Sequence, residues 1–559
     1  MSSAVDVLIV GAGSAGCALA HRLSATGRRV LLLEAGADTP PGAVPADVRD
    51  IYPRSYSNTA YFWPGLTAQL GDVGRRRGRE RPYPQARVMG GGSSVMGMIG
   101  LRGVPDDYEA WAAAGAQGWA WEDVLPAFRR LEDDWDYGSS DEHGRHGPVA
   151  VRRHRPEDWP PFTRAVAAAA GRRGLPLQDD MNAQFGDGHG RLPLTATLTS
   201  RVSSASAYLD ARTRARPNLE IACDTFVERL LWRGRRCIGV SAVAGGERRA
   251  LHAEQTILAA GAIHSPAILL RSGVGPPADL ARLRIEPVVE LTGVGAGLQN
   301  HPVVYLAAHL RPHGRQPPWL RPHFISALRF SSGADPALRA DMLMLVMNKS
   351  SWHGLGQAVA GLGVGLYRPF SRGSVTLRSA DPAVPPAVSF AMLSDPRDRE
   401  RMVAGLSFAL DLMQDDEVRA LRNELFATGY SATVRRLNEP GLRNVLATQA
   451  LAAILDGPEA LRRNAIRWGI AGGEREPAPR TRAAWLERTV RRHAFGMYHP
   501  ACTCRMGASE DPLAVVDGEG RVIGAEGLRV VDASIMPQLV RGNTNLPVIM
   551  LAERVAERF

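Results

Sequence analysis

Residues 5–36 read VDVLIVGAGSAGCALAHRLSATGRRVLLLEAG, and this stretch decides the fold of the amino-terminal part of the chain. A short apolar run, Val5–Val10, leads directly into a glycine-rich turn with the spacing G-x-G-x-x-G. A helical pattern over residues 15–26 and a second apolar run, Val30–Leu33, follow the turn, and Glu34 closes that run. Two apolar runs of this length on either side of a helix predict a strand–helix–strand unit, the beginning of a parallel sheet.

The glycines of the turn, together with Glu34, predict a dinucleotide site. Gly11 permits the tight turn, Gly13 lets the backbone approach a pyrophosphate, and Gly16 lets the helix pack closely on the strand. Glu34 can accept hydrogen bonds from the hydroxyl groups of an adenosine ribose, which favours FAD or NAD over NADP. Because no second fingerprint of this form occurs later in the sequence, we expect one dinucleotide and no separate NAD(P)H-binding domain.

The composition is that of a folded globular protein. The chain has 559 residues, 45% of them hydrophobic and 22% charged, which suits two structural units around a large core. Its net charge of +10 comes from arginine, since Lys349 is the only lysine, and the arginines are interleaved with acidic residues. We therefore expect no nucleic-acid partner. The cysteines are irregularly spaced, and Cys502 and Cys504 lack a second pair at zinc spacing, so we expect neither disulfides nor a metal site.

The sequence also bears on location. The amino terminus has no basic segment followed by a cleavable apolar segment, and no stretch approaches the roughly 18 apolar residues that a bilayer span needs. Together with the few cysteines, this predicts a cytoplasmic protein. The net charge leaves peripheral association with a membrane open, although no amphipathic anchor stands out.

Hydrophobic periodicity predicts the remaining elements. Residues 40–84 are rich in Pro, Gly, Trp and Tyr without a helical period and predict a long loop or lid over a ligand. Residues 136–147 are polar and glycine-rich and predict a surface connection, in which His143 and His146 are loop residues rather than ligands. Helices are predicted at 106–115, 121–132, 162–171 and 397–413, and strands within 219–260 and at 374–377.

Four further segments resemble a known enzyme family. Residues 261–275 (GAIHSPAILLRSGVG) match the second signature of the glucose-methanol-choline (GMC) oxidoreductases, and residues 87–98 (RVMGGGSSVMGM) resemble the first. Residues 498–507 (YHPACTCRMG) and 531–547, which contain VDASIMP and GNTNLP, resemble the active-site segments of the family. Within 498–507 the chain is most similar to choline-dehydrogenase-like members. The resemblance thus extends from the first strand to the C-terminus.

This resemblance implies an α/β fold class. An FAD-binding Rossmann-like domain of the glutathione-reductase type is expected, interleaved with an α+β substrate domain that has an antiparallel sheet. The implied FAD-binding domain is discontinuous and comprises residues 1–40, 80–105, 200–301 and 496–559. The implied lid and substrate-binding domain comprises residues 41–79, 106–199 and 302–495.

The same resemblance implies oxidation of an alcohol to an aldehyde or ketone, with proton abstraction by His499 and hydride transfer to flavin N5. Histidine suits the proton step because its pKa lies near neutrality. Asn543 matches the family position that binds the substrate oxygen as negative charge develops. The expected contacts to FAD are Gly11, Gly13, Ser14, Ala15, Gly16, Glu34, Ala35, Arg87, Met89, Gly90, Gly91, Ser94, Val95, Met96, Gly97, Met98, Val227, Ala260, Gly261, Asp532, Ala533, Asn543, Thr544, Asn545 and Leu546. The expected substrate pocket includes Trp63, Phe324, Trp352 and Tyr498.

The chain also departs from the family pattern. Met96 stands where the first signature usually has Asn, and a methionine cannot donate the hydrogen bond of that amide. Val95 stands where some relatives have a histidine bonded covalently to the flavin, so we expect non-covalent FAD. Cys502 replaces a frequent glycine, and we interpret it as a buried packing residue. Gly297 and Asn300 replace the usual Asn and Asp of a further family motif.

Three alternatives stay open at this point. A dehydrogenase is slightly favoured over an oxidase, and the electron acceptor can be oxygen, a quinone or another redox carrier. A hydroxynitrile-lyase-like enzyme with non-redox FAD is the alternative on the same fold. A hydrolase is disfavoured because Ser14 and Ser93 each lack one flanking glycine of a G-x-S-x-G elbow. Which alcohol would be the small-molecule substrate does not follow from the sequence.

Overall fold

The computed structural model describes all residues except 1–4, 72–77, 79, 429–435, 440 and 471–475. The predicted strand–helix–strand unit is confirmed: Val5–Val10 and Val30–Leu33 are parallel strands joined by the helix Ser14–Ala25. All four residues of Val30–Leu33 are buried, as expected of a strand covered on both faces of a sheet. The unit therefore lies at the centre of the fold.

A mixed sheet extends this unit on both sides. Its parallel part brings the carboxyl ends of the first strand, of the strand before residue 261 and of the strand before Asp532 to the same edge. The glycine turn lies at that edge, which is where open parallel sheets bind ligands. In spatial order the strands are Thr225–Arg233, Arg236–Ala244, Glu247–Leu258, Val5–Val10, Val30–Leu33 and Leu219–Ala222, with Leu528–Val530 also paired to Glu247–Leu258.

A second, largely antiparallel sheet confirms the implied α+β part of the fold. Its central strands are buried at every position except Tyr305, and the helix Pro396–Met413 packs on it. In spatial order the strands are Arg422–Thr428, Pro302–Leu310, Val359–Leu366, Met342–Met347, Phe324–Phe330, Gly188–Arg191 and Leu177–Gln178, with Phe495–Gly496 paired to Pro302–Leu310.

The prediction of a long loop over residues 40–84 is wrong in part. This segment contributes two strands, Thr67–Gly71 and Glu80–Pro82, to a third sheet. The first of them pairs with Ala387–Met392, far away in the sequence, so local periodicity could not reveal it. The same sheet contains Gly373–Thr376 and Ala296–Leu298. Short helical turns at Ala46–Arg49, Arg54–Ser57 and Thr59–Tyr61 precede these strands.

The predicted helices lie within two residues of the observed ones. Three of the four begin with a proline, which suits the first turn because its missing N–H has no partner there. The four are Pro105–Ala113, Trp121–Leu131, Pro161–Arg172 and Pro396–Met413. The others include Ser204–Tyr208, Ala211–Arg214, Gly261–Arg271, Pro277–Arg282, Gly354–Gln357, Asp416–Leu421, Leu442–Asp456, Glu459–Asn464, Arg482–His493 and Asn545–Glu557. Among the described residues, none of the helices combines the length and the apolar character that crossing a membrane requires.

The segment 136–147 is not purely a surface connection, because His143 is buried in it. The side chain of His143 is fully buried and lies among the carboxylates of Glu132, Asp134 and Asp180. His146 is exposed, as the predicted surface connection requires. Each imidazole nitrogen of His143 faces a carboxylate, at 3.0 Å from Glu132 and 2.6 Å from Asp180, which is the pattern of a charged imidazolium donating twice. The three acids therefore belong to an ion-pair network.

Candidate active site

A cleft of about 1150 Å³, partly open to solvent, lies at the edge of the parallel sheet. It collects residues that the sequence predicted as FAD contacts from four separate segments of the chain. The predicted contacts that line it are Gly11, Gly13, Ser14, Ala15, Glu34, Ala35, Gly91, Met96, Val227, Ala260, Gly261, Asp532, Ala533 and Thr544. The predicted contacts that do not line it are Gly16, Arg87, Met89, Gly90, Ser94, Val95, Gly97, Met98, Asn543, Asn545 and Leu546.

The glycines of the turn shape the cleft as a dinucleotide requires. A Cβ atom on Gly13 would meet no protein atom within 4 Å, so this position faces open space that a pyrophosphate can fill. Gly11 has a φ of +98°, and a Cβ there would lie 2.7 Å from the carbonyl oxygen of Ala259. A Cβ on Gly16 would collide with the carbonyl oxygen of Gly11, so Gly16 serves packing rather than ligand contact.

Two buried carboxylates line this cleft. Glu34 accepts hydrogen bonds from the backbone N–H groups of Ala12 at 2.9 Å and Gly36 at 2.8 Å. Asp532 accepts from the backbone N–H of Gly261 at 2.8 Å and from the hydroxyl of Ser265 at 2.6 Å. Burial raises the pKa of both carboxyl groups, while these hydrogen bonds lower it. Both carboxylates are thus fixed in place as acceptors for ligand hydroxyl groups.

Sequence reasoning missed an aromatic end of the same cleft. Trp63 lies there beside His264, with ring centroids 4.2 Å apart, and beside Phe226 at 5.8 Å. The guanidinium group of Arg87 lies over the ring of Trp63, 5.2 Å from its centroid. Trp63 was predicted as a substrate contact, but its neighbours belong to the dinucleotide cleft. The only feature of the sequence that could have indicated these aromatic residues is that Phe226 precedes Val227, a predicted FAD contact.

The predicted catalytic pair does converge. The Nε2 atom of His499 lies 3.3 Å from the Nδ2 atom of Asn543, although the two residues come from separate segments. The backbone N–H of His499 donates to the amide oxygen of Asn300 at 3.0 Å, which anchors the segment. Burial lowers the pKa of His499 to about 4 and is the only cause of the shift. His499 is therefore a neutral imidazole at physiological pH, the form that can accept a proton.

The backbone around His499 is held in a rare conformation. Tyr498 and Cys502 have φ values of +62° and +76°, a region that residues with a Cβ seldom adopt. This explains why a glycine is frequent at the position of Cys502. The thiol of Cys502 is 2% exposed and donates to the amide oxygen of Gln299 at 3.3 Å, as a packing residue would. Burial raises the pKa of this thiol to about 12, which argues against a reactive thiolate.

Comparison with known proteins identifies the family. The N- and C-terminal models of the GMC oxidoreductases match residues 5–303 and 369–552. This chain belongs to the GMC oxidoreductase family. The 5-(hydroxymethyl)furfural oxidase of Methylovorus sp. (strain MP688) is 38% identical, over 99% of this chain and 98% of the relative. The oxygen-dependent choline dehydrogenase of Ectopseudomonas mendocina (strain ymp) is 32% identical, over 100% of this chain and 94% of the relative. The crystal structure of pyridoxine 4-oxidase from Mesorbium loti has 28% sequence identity and a TM-score of 0.81, covering 99% of each chain.

As a GMC oxidoreductase, the protein is an FAD enzyme that oxidises alcohols. The cleft fits this cofactor, because its open glycine cradle and buried carboxylates suit the pyrophosphate and hydroxyl groups of FAD. Val95, at the position of a covalent histidine in some relatives, is fully buried and offers no nucleophilic atom. Met96 lines the cleft, as predicted, and its backbone carbonyl accepts a hydrogen bond from Arg201 at 2.5 Å. Which of these residues contact FAD stays a prediction.

The aromatic residues predicted for the substrate pocket occupy different surroundings. Tyr498 adjoins His499, lines the cleft, and accepts a hydrogen bond from the hydroxyl of Tyr56 at 2.7 Å. Phe324 is buried in the hydrophobic cluster that contains Tyr367. Trp352 lies under the guanidinium group of Arg54 and donates to the backbone carbonyl of Asn438. Of the three, Tyr498 is the one that adjoins the predicted catalytic pair in the chain.

One neighbour of His499 was not predicted. The Nδ1 atom of His301 lies 2.9 Å from the Nδ1 atom of His499. The ring of His301 is fully buried and stacks on Tyr367, whose hydroxyl donates to Asn543 at 3.2 Å. His301 ends the motif that contains Gly297 and Asn300, so the motif was recognised but this contact was not.

Proposed function

We propose that this enzyme oxidises a neutral primary alcohol borne on an aromatic or heteroaromatic ring to the aldehyde, with dioxygen as electron acceptor. The convergence of His499 and Asn543 next to the dinucleotide cleft carries the proposal. The coarser activity, oxidation of an alcohol with FAD, follows from family membership. The substrate class, the acceptor and the residue roles are proposed here.

In the proposed mechanism, His499 is the base that accepts the hydroxyl proton of the alcohol. Its neutral Nε2 atom accepts the hydroxyl proton of the alcohol, and the amide N–H of Asn543 donates to the alkoxide oxygen as charge develops. Bound FAD supplies the N5 atom that accepts the hydride from the same carbon. The alcohol thereby loses one proton and one hydride and becomes an aldehyde. Dioxygen then takes up the two electrons with two protons and leaves as hydrogen peroxide.

Two observations favour a neutral, aromatic substrate. Burial alone accounts for the lowered pKa of His499, so the described residues place no charge close enough to the imidazole to shift it. Tyr498, which precedes His499 and lines the cleft, packs against Tyr56 and Tyr83 with ring centroids 5.6 Å apart in both pairs. The ring of Tyr498 can stack on a planar substrate. The furfural oxidase, at 38% identity, is also a more similar relative than the choline dehydrogenase at 32%.

The names of the relatives also favour oxygen over another acceptor. The reported relatives are called oxidases or an oxygen-dependent dehydrogenase, which weighs against the slight preference for a dehydrogenase drawn from the sequence. They are oxidoreductases by name and give the hydroxynitrile-lyase alternative no support. We retain Trp63, Phe324 and Trp352 as proposed pocket residues, FAD as non-covalent, and the cytoplasmic location as a prediction.

An anaerobic absorbance titration tests the proposal. The FAD-loaded protein is mixed with 5-hydroxymethylfurfural, benzyl alcohol or choline, and the flavin band near ~450 nm is followed. We expect the flavin band to be bleached by 5-hydroxymethylfurfural and benzyl alcohol, the two ring alcohols, and by choline at least tenfold more slowly. His499→Ala should slow bleaching about 10²–10⁴-fold, while dithionite still reduces its flavin. Admitting air should restore the band and yield hydrogen peroxide; a flavin that no alcohol bleaches would refute the proposed function.

A further inference from the structure

A row of four side chains runs behind the proposed proton-accepting atom. The hydroxyl of Tyr367 donates to the amide oxygen of Asn543 at 3.2 Å, and the amide nitrogen of Asn543 lies 3.3 Å from Nε2 of His499. On the opposite side of that ring, Nδ1 of His499 lies 2.9 Å from Nδ1 of His301. The row closes on itself, because the ring of His301 stacks on Tyr367 with centroids 4.2 Å apart.

With the amide of Asn543 oriented as in the structure, the hydrogen bonds in this row assign a position to each proton. Since the oxygen of Asn543 accepts from Tyr367, its NH₂ group is the part that faces His499, and an amide NH₂ can only donate. Nε2 of His499 must then be the acceptor, which leaves its proton on Nδ1. Two nitrogen atoms 2.9 Å apart share one proton, so Nδ1 of His301 accepts and its own proton lies on Nε2.

The surroundings keep His301 in the neutral form that this arrangement needs. Its side chain is fully buried, and burial, followed by the neighbouring His499, lowers its pKa well below the usual value. Backbone groups of Val540 and Tyr367 oppose this shift of the pKa, but among the described residues none forms a hydrogen bond with Nε2 of His301. A neutral imidazole can accept at Nδ1, whereas an imidazolium cannot.

We infer that His301 is a positioning residue that sets the tautomer of His499: it accepts the Nδ1–H of His499 and so keeps Nε2 unprotonated, the form in which this atom can take the proton of the alcohol. This inference rests on the proposed function of His499. The role corresponds to the carboxylate that orients the histidine of a Ser-His-Asp triad, but here the partner is neutral. A neutral partner orients the ring without the Coulomb attraction by which a carboxylate makes the histidine easier to protonate.

The tautomers can be tested without any substrate. Selective labelling of histidine with ¹⁵N distinguishes protonated from unprotonated ring nitrogens by their chemical shifts, and the signals of His499 and His301 are assigned from their loss in His499→Gln and His301→Asn. We expect His499 protonated at Nδ1 and His301 at Nε2 in the FAD-loaded protein. The opposite pair of tautomers would overturn the inference, whatever the activity of the enzyme.

Kinetics of flavin reduction supply the second test. His301→Leu removes the acceptor and should slow reduction by a ring alcohol about 10- to 100-fold at every pH, the effect of losing one hydrogen bond in a catalytic site. His301→Asn, whose amide oxygen can approach the same position, should recover at least part of that loss. His301→Asp should instead move the acid limb of the pH profile upward by at least one unit, because a carboxylate favours the protonated form of His499.

A purely structural role would give different results. Equal losses in His301→Leu and His301→Asn, accompanied by loss of FAD or a lower melting temperature, would contradict a positioning role, as would an unchanged pH profile in a folded His301→Asp enzyme. Tyr367→Phe is the matched variant at the other end of the row. It leaves His301 in place and should lower the rate through Asn543 alone, without moving the pH profile.

Discussion

At the scale of single residues, Asn300 anchors the backbone of the proposed catalytic histidine. Its amide oxygen accepts the backbone N–H of His499 at 3.0 Å, and it stands where the family motif usually has an aspartate. A carboxylate can accept the same bond, but it adds a buried negative charge within a few ångströms of the imidazole. Such a charge favours the protonated ring and would raise the pKa of His499 from its value of about 4.

We therefore expect Asn300→Asp to shift the pH dependence of flavin reduction. Because the neutral imidazole is the active form, the variant should match the wild type near pH 9 and fall behind it by tenfold or more near pH 5, if the pKa rises by about two units. Stopped-flow reduction by one ring alcohol across this range measures the effect. Asn300→Ser, which keeps a neutral acceptor, is the control, and an equal displacement of its profile would contradict the charge argument.

At the scale of secondary-structure elements, the buried ion-pair network fixes the strand Glu132–Asp134 to the loop that carries His143. Burial opposes protonation of His143, but hydrogen bonds with Asp134, Asp180 and Glu132 outweigh it and raise the pKa of the imidazole to about 10. In the unfolded chain, the imidazole releases this proton at its ordinary pKa of about 6.5. The network therefore stabilises the fold fully below pH 6.5, and the contribution declines as the pH rises toward 10.

His143→Gln should accordingly destabilise the protein most at low pH. Breaking a buried charge pair costs about 3–5 kcal/mol, and we expect a loss of this order near pH 6 that shrinks steadily toward pH 9.5. Urea denaturation of the FAD-loaded protein at pH 6, 8 and 9.5 measures the difference. The exposed His146 provides the control, since His146→Gln should change stability by less than about 0.5 kcal/mol at each pH. If His143→Gln lowers the free energy of unfolding equally at all three pH values, His143 does not carry the assigned positive charge.

The same scale separates what the sequence could predict from what it could not. Val5–Val10 and Val30–Leu33 were predicted to the residue because each is a continuous apolar run bounded by turn signals. The strand Thr67–Gly71 was not, because its partner Ala387–Met392 is remote and its own pattern is short. His499 and Asn543 followed from motifs, whereas the contact of His499 with His301 depends on how two distant segments meet, which no local pattern records.

At the scale of the whole molecule, binding of FAD and folding of the discontinuous cleft are linked. The cleft draws on segments near both ends of the chain, so a ligand that fills it stabilises the native state against unfolding. A ligand present at 100 times its dissociation constant adds about 2.7 kcal/mol to the free energy of unfolding. Removal of FAD should therefore lower the melting temperature, and adding it back should restore the loss.

Substitutions at two glycines of the same turn distinguish effects on the binding of FAD from effects on the folding of the cleft. A Cβ on Gly13 meets no protein atom within 4 Å and the backbone φ there is −79°, so Gly13→Ala should leave the melting temperature of the FAD-free protein unchanged. The added methyl projects into the cleft, so the increase in melting temperature on adding FAD should be reduced or lost. Gly16→Ala differs, because its Cβ would collide with the carbonyl oxygen of Gly11 and should cost about 1–3 kcal/mol in the FAD-free protein itself. Thermal unfolding of both variants with and without FAD decides the matter: an FAD response of wild-type size in Gly13→Ala would mean that the pyrophosphate does not lie against this glycine.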